Sequence, residues 1–275
     1  MNPSILLVNG EIRSSEEPVL SSFNRSFRYG DGLFETMYWS DGRLWFANDH
    51  VARLNEGLGV LEMTLEKCGD TAYWTEQVKL LTARAGLERA RIRLQVYRNE
   101  GGLYLPTEYA ASWIMEAGLL PEVLVREKRR VMVLDAQVDS GPLSHLKTCN
   151  RLPQVWAAVK ASKGGYDDAI LLNGKGRVAE AISSNLFLVC GNRLVTPAIG
   201  EGCVAGVMRK QVLVWGKELG METEERGVVP DELYDADEIF LTNAISGIVS
   251  VRTLVNRSYR ATKADLIRQH GLSNR

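Results

Sequence analysis

The stretch Ser144-His145-Leu146-Lys147-Thr148-Cys149-Asn150-Arg151-Leu152-Pro153-Gln154-Val155-Trp156 places one lysine between a turn and the start of a helix. Ser140-Gly141-Pro142 supplies the turn chemistry before it, and apolar residues recur at helical spacing from about Pro153 to Ser162 after it. VMVLDA upstream reads as a strand, as do AILLN and LFLVC downstream, and a further helix is predicted from about Ala205 to Leu219. Strands and helices mixed in this way predict an α+β region. Lys147 by itself carries no local mark, since an isolated lysine is usually a solvated surface charge.

The first half of the chain reads similarly. ILLVNG near the start and LFETMYW from Leu33 are predicted strands, and an amphipathic helix is expected from about Asp49, as its cap, to Leu61. A second helix is expected over Thr75 to Ala85. The strands ARIRLQVYR and ASWIMEA follow, separated by the turn-rich NEGGLYLPTE. At Ala117 to Arg130 the composition shifts, with a proline and then a run of charges, which suits a connection between domains. The expected division is a small N-terminal domain, residues 1–120, and a larger mixed C-terminal domain, residues 121–275.

Lys plus Arg (33) nearly balances Asp plus Glu (34) in the 275 residues, so no chain-wide field favours nucleic acid or an anionic membrane. Small molecules or other protein chains are the expected partners. The amino terminus has a short apolar run followed by acids, which reads as a first strand rather than a secretory leader. No apolar stretch approaches the ~20 residues needed to cross a bilayer. A soluble, cytoplasmic protein is expected. Cys68, Cys149, Cys190 and Cys203 are scattered without metal or redox spacing, His50, His145 and His270 are far apart, and no metal is predicted.

Four features leave alternatives open on residue chemistry alone. Tyr29-Gly30-Asp31-Gly32 is either a tight turn or something more specific, because glycine permits backbone angles that other residues avoid. Gly202 to Arg209 runs into an apolar-periodic helix whose N–H groups and dipole suit a phosphate, although any glycine-containing loop before a helix looks the same. It has neither the Walker spacing nor GxGxxG. Lys147 and Glu180, the latter between two predicted strands, are equally well read as ordinary surface and loop charges.

Taken in order, YGDGLFET, HVARL, LKTCNRLPQV, VAEAISSNLFLV, GCVAGVMR and FLTNAISGI resemble the successive signatures of the class IV aminotransferases, the pyridoxal-phosphate enzymes of fold type IV. They run from Tyr29 to Ile248. The resemblance implies a two-domain fold with a barrel-like larger domain, a homodimer, and pyridoxal 5'-phosphate as cofactor. It assigns Lys147 to the Schiff base, for which burial or neighbouring cations must ease loss of the ammonium proton. Glu180 matches the partner of the pyridine nitrogen, keeping it protonated so that the ring is an electron sink. Arg53 matches the phosphate arginine. Val207 and Met208 match the pair whose backbone N–H groups face the phosphate. The family usually has Ile-Thr there, so a threonine hydroxyl is missing here. Asn185 matches a position near the cofactor ring.

Within the family, branched-chain aminotransferases typically show FEG and TGTA where this chain has Phe34-Glu35-Thr36 and Thr242-Asn243-Ala244. Both places resemble 4-amino-4-deoxychorismate lyases of the folate pathway, as does LKTCNRLPQV. D-amino-acid enzymes carry an Arg-x-His pair that Tyr97-Arg98-Asn99-Glu100 lacks, although Arg98 is a candidate to bind a substrate carboxylate. The lyase reading makes Lys147 the general base and Thr36 a proton carrier. It makes Asn243, beside both cofactor and substrate, a donor to a substrate oxygen, and Tyr29 a substrate contact. An amino-acid aminotransferase is the alternative. The Arg28 to Gly32 segment is the candidate contribution to a neighbouring subunit.

Overall fold

A computed structural model describes residues 5–66, 70–121 and 124–273. Its contacts divide the chain into two compact units. The first comprises Met1–Glu122 together with Leu146–Asn150, and the second comprises Val123–His145 and Arg151–Arg275.

The first unit is built on a six-stranded antiparallel sheet in the order Glu11–Ser14, Ile5–Val8, Ala111–Leu119, Ala90–Arg98, Gly32–Ser40, Arg43–Leu44. In Ala90–Arg98, Ile92, Leu94 and Val96 are fully buried while Arg91, Arg93 and Gln95 are not. That period of two turns one face of the sheet toward the helices Ala47–Val60 and Thr71–Ala85. Trp74 on the second helix packs edge-on against Trp113 with ring centroids 5.2 Å apart.

Both helices begin earlier than their sequence signals suggest. Asp70 caps the second by accepting from the Tyr73 N–H at 2.9 Å, so it starts at Thr71 rather than near Thr75. The first starts at Ala47. Phe46 before it turns the chain with φ of 55° and no side-chain cap, which leaves Asp49 in the first turn, where its charge favours the helix dipole without capping.

In the second unit the strands Val178–Ala181, Asp168–Asn173, Val131–Val138, Thr253–Leu254 and Arg257–Ser258 form one sheet. Glu222–Arg226, Arg193–Pro197, Asn185–Cys190, Glu238–Asn243, Gly247–Val251 and Glu127–Lys128 form another. Val131, Ile170 and Val178 of the first sheet share an apolar core with Leu186, Leu188, Val195, Ile239 and Leu241 of the second, so the expected barrel-like domain is two sheets curved around one interior. Asn185–Cys190 and Glu238–Asn243 are buried along nearly their whole length, and Phe187 stacks on its cross-strand partner Phe240 at 5.1 Å. Helices Leu152–Lys163, Val207–Glu218, Pro230–Asp235 and Thr262–Leu272 complete this mixed α+β unit. Among the described residues no helix is long and apolar enough to cross a membrane.

Because Trp74 is almost fully buried, its truncation removes a large apolar body from the first core. Trp74→Ala is expected to cost about 3–5 kcal/mol, read from the shift in the urea unfolding midpoint at unchanged slope.

Candidate active site

Lys147 owes its place to backbone pairing. The Phe34 N–H donates to the Lys147 carbonyl at 2.9 Å, the Cys149 N–H donates to the Gly32 carbonyl at 2.9 Å, and Thr148 bridges Leu33 antiparallel. Leu146–Asn150 is thereby a short extra rung on the outer edge of Gly32–Ser40. The two open glycine positions explain themselves in this contact. Gly30 has φ of 68°, and a Cβ on it would lie 2.1 Å from Asn150 Oδ1, while a Cβ on Gly32 would lie 2.6 Å from the Val96 carbonyl. Tyr29 closes the short helix Arg25–Tyr29, its ring 5.5 Å from that of Tyr104.

The side chains of this strand divide by alternation. Leu33, Met37 and Trp39 enter the helix-covered core, and Glu35 goes with them. Phe34 and Thr36 lie on the opposite face. There the Lys147 ammonium sits 4.4 Å from the centre of the Phe34 ring and the Arg93 guanidinium carbon 4.3 Å from the same ring. Arg93 is the cross-strand partner of Thr36 and donates to Gln95 Oε1 at 2.8 Å.

Glu35, at 2% exposure, is a carboxylate in an apolar core. It is compensated from the helix Ala47–Val60, where His50 and Arg53 stand one turn apart. Arg53 donates through Nε to Oε1 at 2.8 Å and through Nη2 to Oε2 at 2.5 Å. Burial alone would push the Glu35 carboxyl up, but the Arg53 charge, with the His50 contact, outweighs it and holds the group down at about 2. Burial, joined by the Arg53 and Lys147 charges, lowers His50 against the raising effect of Glu35. Facing an ionised carboxylate, His50 donates Nδ1–H to Glu35 Oε2 at 2.7 Å, and its buried Nε2 has no partner among the described residues.

Arg98 is spent elsewhere. Its Nε donates to Asp31 Oδ2 at 3.0 Å, Nη1 to the Glu62 carbonyl at 3.1 Å and Nη2 to the Leu61 carbonyl at 2.6 Å. Asp31 also receives the buried Arg25, whose other donors hold the carbonyls of Gly101, Leu103 and Tyr104. Arg98 thus ties strand, helix end and loop together, with donors on the Asp31 carboxylate and on two backbone carbonyls inside the unit.

The second unit holds the remaining candidates. Glu180 lies on the strand Val178–Ala181 rather than in a loop, 5% exposed, accepting from the Val204 N–H at 3.0 Å and from Gln154 Nε2 at 3.2 Å. Asn185 donates to the Val204 carbonyl at 2.8 Å, so Glu180 and Asn185 together hold both backbone polar groups of Val204. The helix Val207–Glu218 opens directly afterwards at Gly206, with no side-chain cap on its N–H groups, and the Val207 and Met208 side chains are buried. Asn243 shapes the end of its strand, accepting from the N–H groups of Ile245 at 3.0 Å and Ser246 at 2.8 Å and donating to Ser184 Oγ at 3.0 Å.

The model for class IV amino-transferases matches residues 32–254. The chain belongs to the class IV aminotransferases. It is thus an enzyme of a pyridoxal-phosphate-dependent family. A class IV enzyme needs an amine for the cofactor aldehyde, an anion for the ring nitrogen and N–H donors for the phosphate, and the two units carry residues of each kind. The chain is 29% identical to a putative branched-chain-amino-acid aminotransferase of Methanocaldococcus jannaschii, over 90% of this chain and 86% of that one. It is 30% identical to an aminodeoxychorismate lyase of Vibrio harveyi, over 83% of this chain and 84% of that one. The crystal structure of 4-amino-4-deoxychorismate lyase from Pseudomonas aeruginosa superposes with a TM-score of 0.83 at 32% identity, over 96% of this chain and 98% of that one.

The class IV signatures carried no role for Glu35, His50 or Arg93. A signal for the first two was present: an acid at a core-facing strand position, followed by a histidine and an arginine three residues apart on a helix.

A Cβ on Gly206 would lie 1.9 Å from Asn185 Oδ1. Gly206→Ala is expected to displace the Asn185 amide from the Val204 carbonyl at a cost of about 1–3 kcal/mol, seen as a lower thermal midpoint of the cofactor-free protein.

Proposed function

We propose that this enzyme is a 4-amino-4-deoxychorismate lyase, releasing pyruvate and forming 4-aminobenzoate for folate synthesis in the cytoplasm. The observation that carries this reading is the pairing of Thr36 with Arg93 on the sheet face that also holds Phe34 and the Lys147 amine. A branched aliphatic substrate calls for an apolar wall. This face instead offers a hydroxyl, a partly buried guanidinium and the Gln95 amide, groups suited to a substrate with one carboxylate on its ring and another on its side chain.

In this reading Lys147 would hold the cofactor through its aldehyde, Arg53 and the N–H groups of Val207 and Met208 would hold its phosphate, and Glu180, with Asn185, would serve its ring nitrogen. Pyridoxal phosphate, when bound, supplies an electron sink for the carbon that carries the substrate nitrogen. Lys147, with its amine free, would take the proton from that ring carbon. The C–O bond to the three-carbon side chain then breaks with its electron pair on oxygen, the ring becomes aromatic, and the departing enolate takes up at its CH2 carbon the proton that Lys147 removed, relayed by the Thr36 hydroxyl, to become pyruvate. Arg93, on the same face as Thr36, would meet a substrate carboxylate. Asn243 and Tyr29 border the substrate.

A homodimer goes with this reading. In the first unit Phe27, Leu103, Tyr104 and Leu105 are 73–88% exposed, an apolar surface beside the Arg28 to Gly32 segment that a second copy would cover.

A second reading, an amino-acid aminotransferase, has the support of relatives of that name at similar identity. Purified holoenzyme given aminodeoxychorismate should release pyruvate, detected with lactate dehydrogenase. Aminated product from L- or D-amino acids and 2-oxoglutarate, without pyruvate release, would favour the second reading. Thr36→Ala should lower the lyase kcat by roughly 10²-fold, the scale of one general acid, and Thr36→Ser should restore most of it. Borohydride reduction followed by peptide mapping should find the cofactor on Lys147, and a label on any other lysine would remove the basis of both readings.

A further inference from the structure

We propose that Glu35 is a positioning residue for phosphate recognition: its carboxylate, steadied by His50, holds the Arg53 guanidinium in the one orientation in which it meets a phosphate ester. The inference rests on the reading that Arg53 serves the cofactor phosphate, and assigns a role to a residue that touches neither cofactor nor substrate.

Three features lead to it. Glu35 lies on the core side of its strand among Leu33, Met37 and Trp39, where an apolar residue of similar volume would fold at least as well, because a buried ion pair seldom recovers its desolvation cost. Arg53 is gripped through the Nε and Nη2 edge, so both the position and the plane of the guanidinium are fixed. His50, at 1% exposure, holds the second lone pair of Oε2, which removes the freedom of the carboxylate to rotate away. A flexible arginine side chain loses rotamer freedom when it binds an anion, and a partner that imposes the bound geometry beforehand lowers that loss.

The test compares two ligands that differ only in the phosphate. Dissociation constants of pyridoxal 5'-phosphate and of pyridoxal are measured by absorbance titration of cofactor-free wild type, Glu35→Gln, Glu35→Asp and Arg53→Met. Glu35→Gln should weaken pyridoxal phosphate by about tenfold or more, the scale of one charge-assisted hydrogen bond, and leave pyridoxal within about twofold. Glu35→Asp, which keeps the charge and shortens its reach, should show the same selective loss to a smaller extent. Adding Glu35→Gln to Arg53→Met should cost nothing further, as expected for two residues acting through one contact.

Equal weakening of both ligands, an unchanged preference for the phosphorylated one, or failure of both Glu35 variants to fold would overturn the proposal and leave the carboxylate a structural brace. If Arg53→Met itself leaves the preference unchanged, the reading of Arg53 falls instead. A loss confined to Arg53→Met would sink only the role of Glu35.

Discussion

The position of the amine at Lys147 depends on two main-chain hydrogen bonds, from Phe34 to the Lys147 carbonyl and from Cys149 to the Gly32 carbonyl. Main-chain pairing locates a residue more tightly than side-chain packing does, because the rung cannot slide by less than a residue without breaking both bonds. The glycines at 30 and 32 make the rung possible, since a side chain at either would occupy the space of Asn150 or of the Val96 carbonyl. The turn-like Gly-Asp-Gly and the lysine segment more than a hundred residues later are two halves of one contact.

Around this rung the first unit places its buried charges in two groups with different tasks. Asp31 receives Arg25 and Arg98, and both arginines spend their remaining donors on main-chain carbonyls, including those of the exposed loop at 101–104. That arrangement closes on itself and braces a loop that has little apolar packing of its own. Glu35, His50 and Arg53 bind a strand to a helix through side chains alone. Such a group is retained at some expense to the core, which is why a role beyond packing is sought for it and not for Asp31.

Much of the fold was legible because its strands are long and alternate. Ala90–Arg98 and Ala111–Leu119 agree with sequence patterning to within a few residues. Helix starts were less legible. The start at Ala47 depends on Phe46 adopting a left-handed angle, for which a bulky aromatic gives no signal. Val178–Ala181 is four residues long and wholly buried, too short for any period to show, so Glu180 looked like a loop residue. Arg98 looked available because a strand-end arginine usually meets solvent, and the carbonyls of Leu61 and Glu62 that claim it come from a distant helix end. Lys147 and Glu180 stood out only through the order of six sequence pieces, since nothing in their neighbours' chemistry marks them.

What the members of the family share differs in kind from what distinguishes them. Removing a proton from the carbon that carries the substrate nitrogen is common to elimination and to amino transfer, and one amine serves both. In the proposed reading the Val204 backbone, held by Glu180 and Asn185, and the uncapped helix start at Val207 belong to that common part. Selection between the two outcomes must come from groups that touch the rest of the substrate: one that relays a proton to the departing enolate, and others that fix carboxylates. The proposed function places such groups in the first unit on the face opposite the core, where Thr36 faces Arg93 across the sheet. Exchanging a residue there leaves the hydrophobic pattern of both strands intact, so one fold can carry either chemistry while its core stays the same.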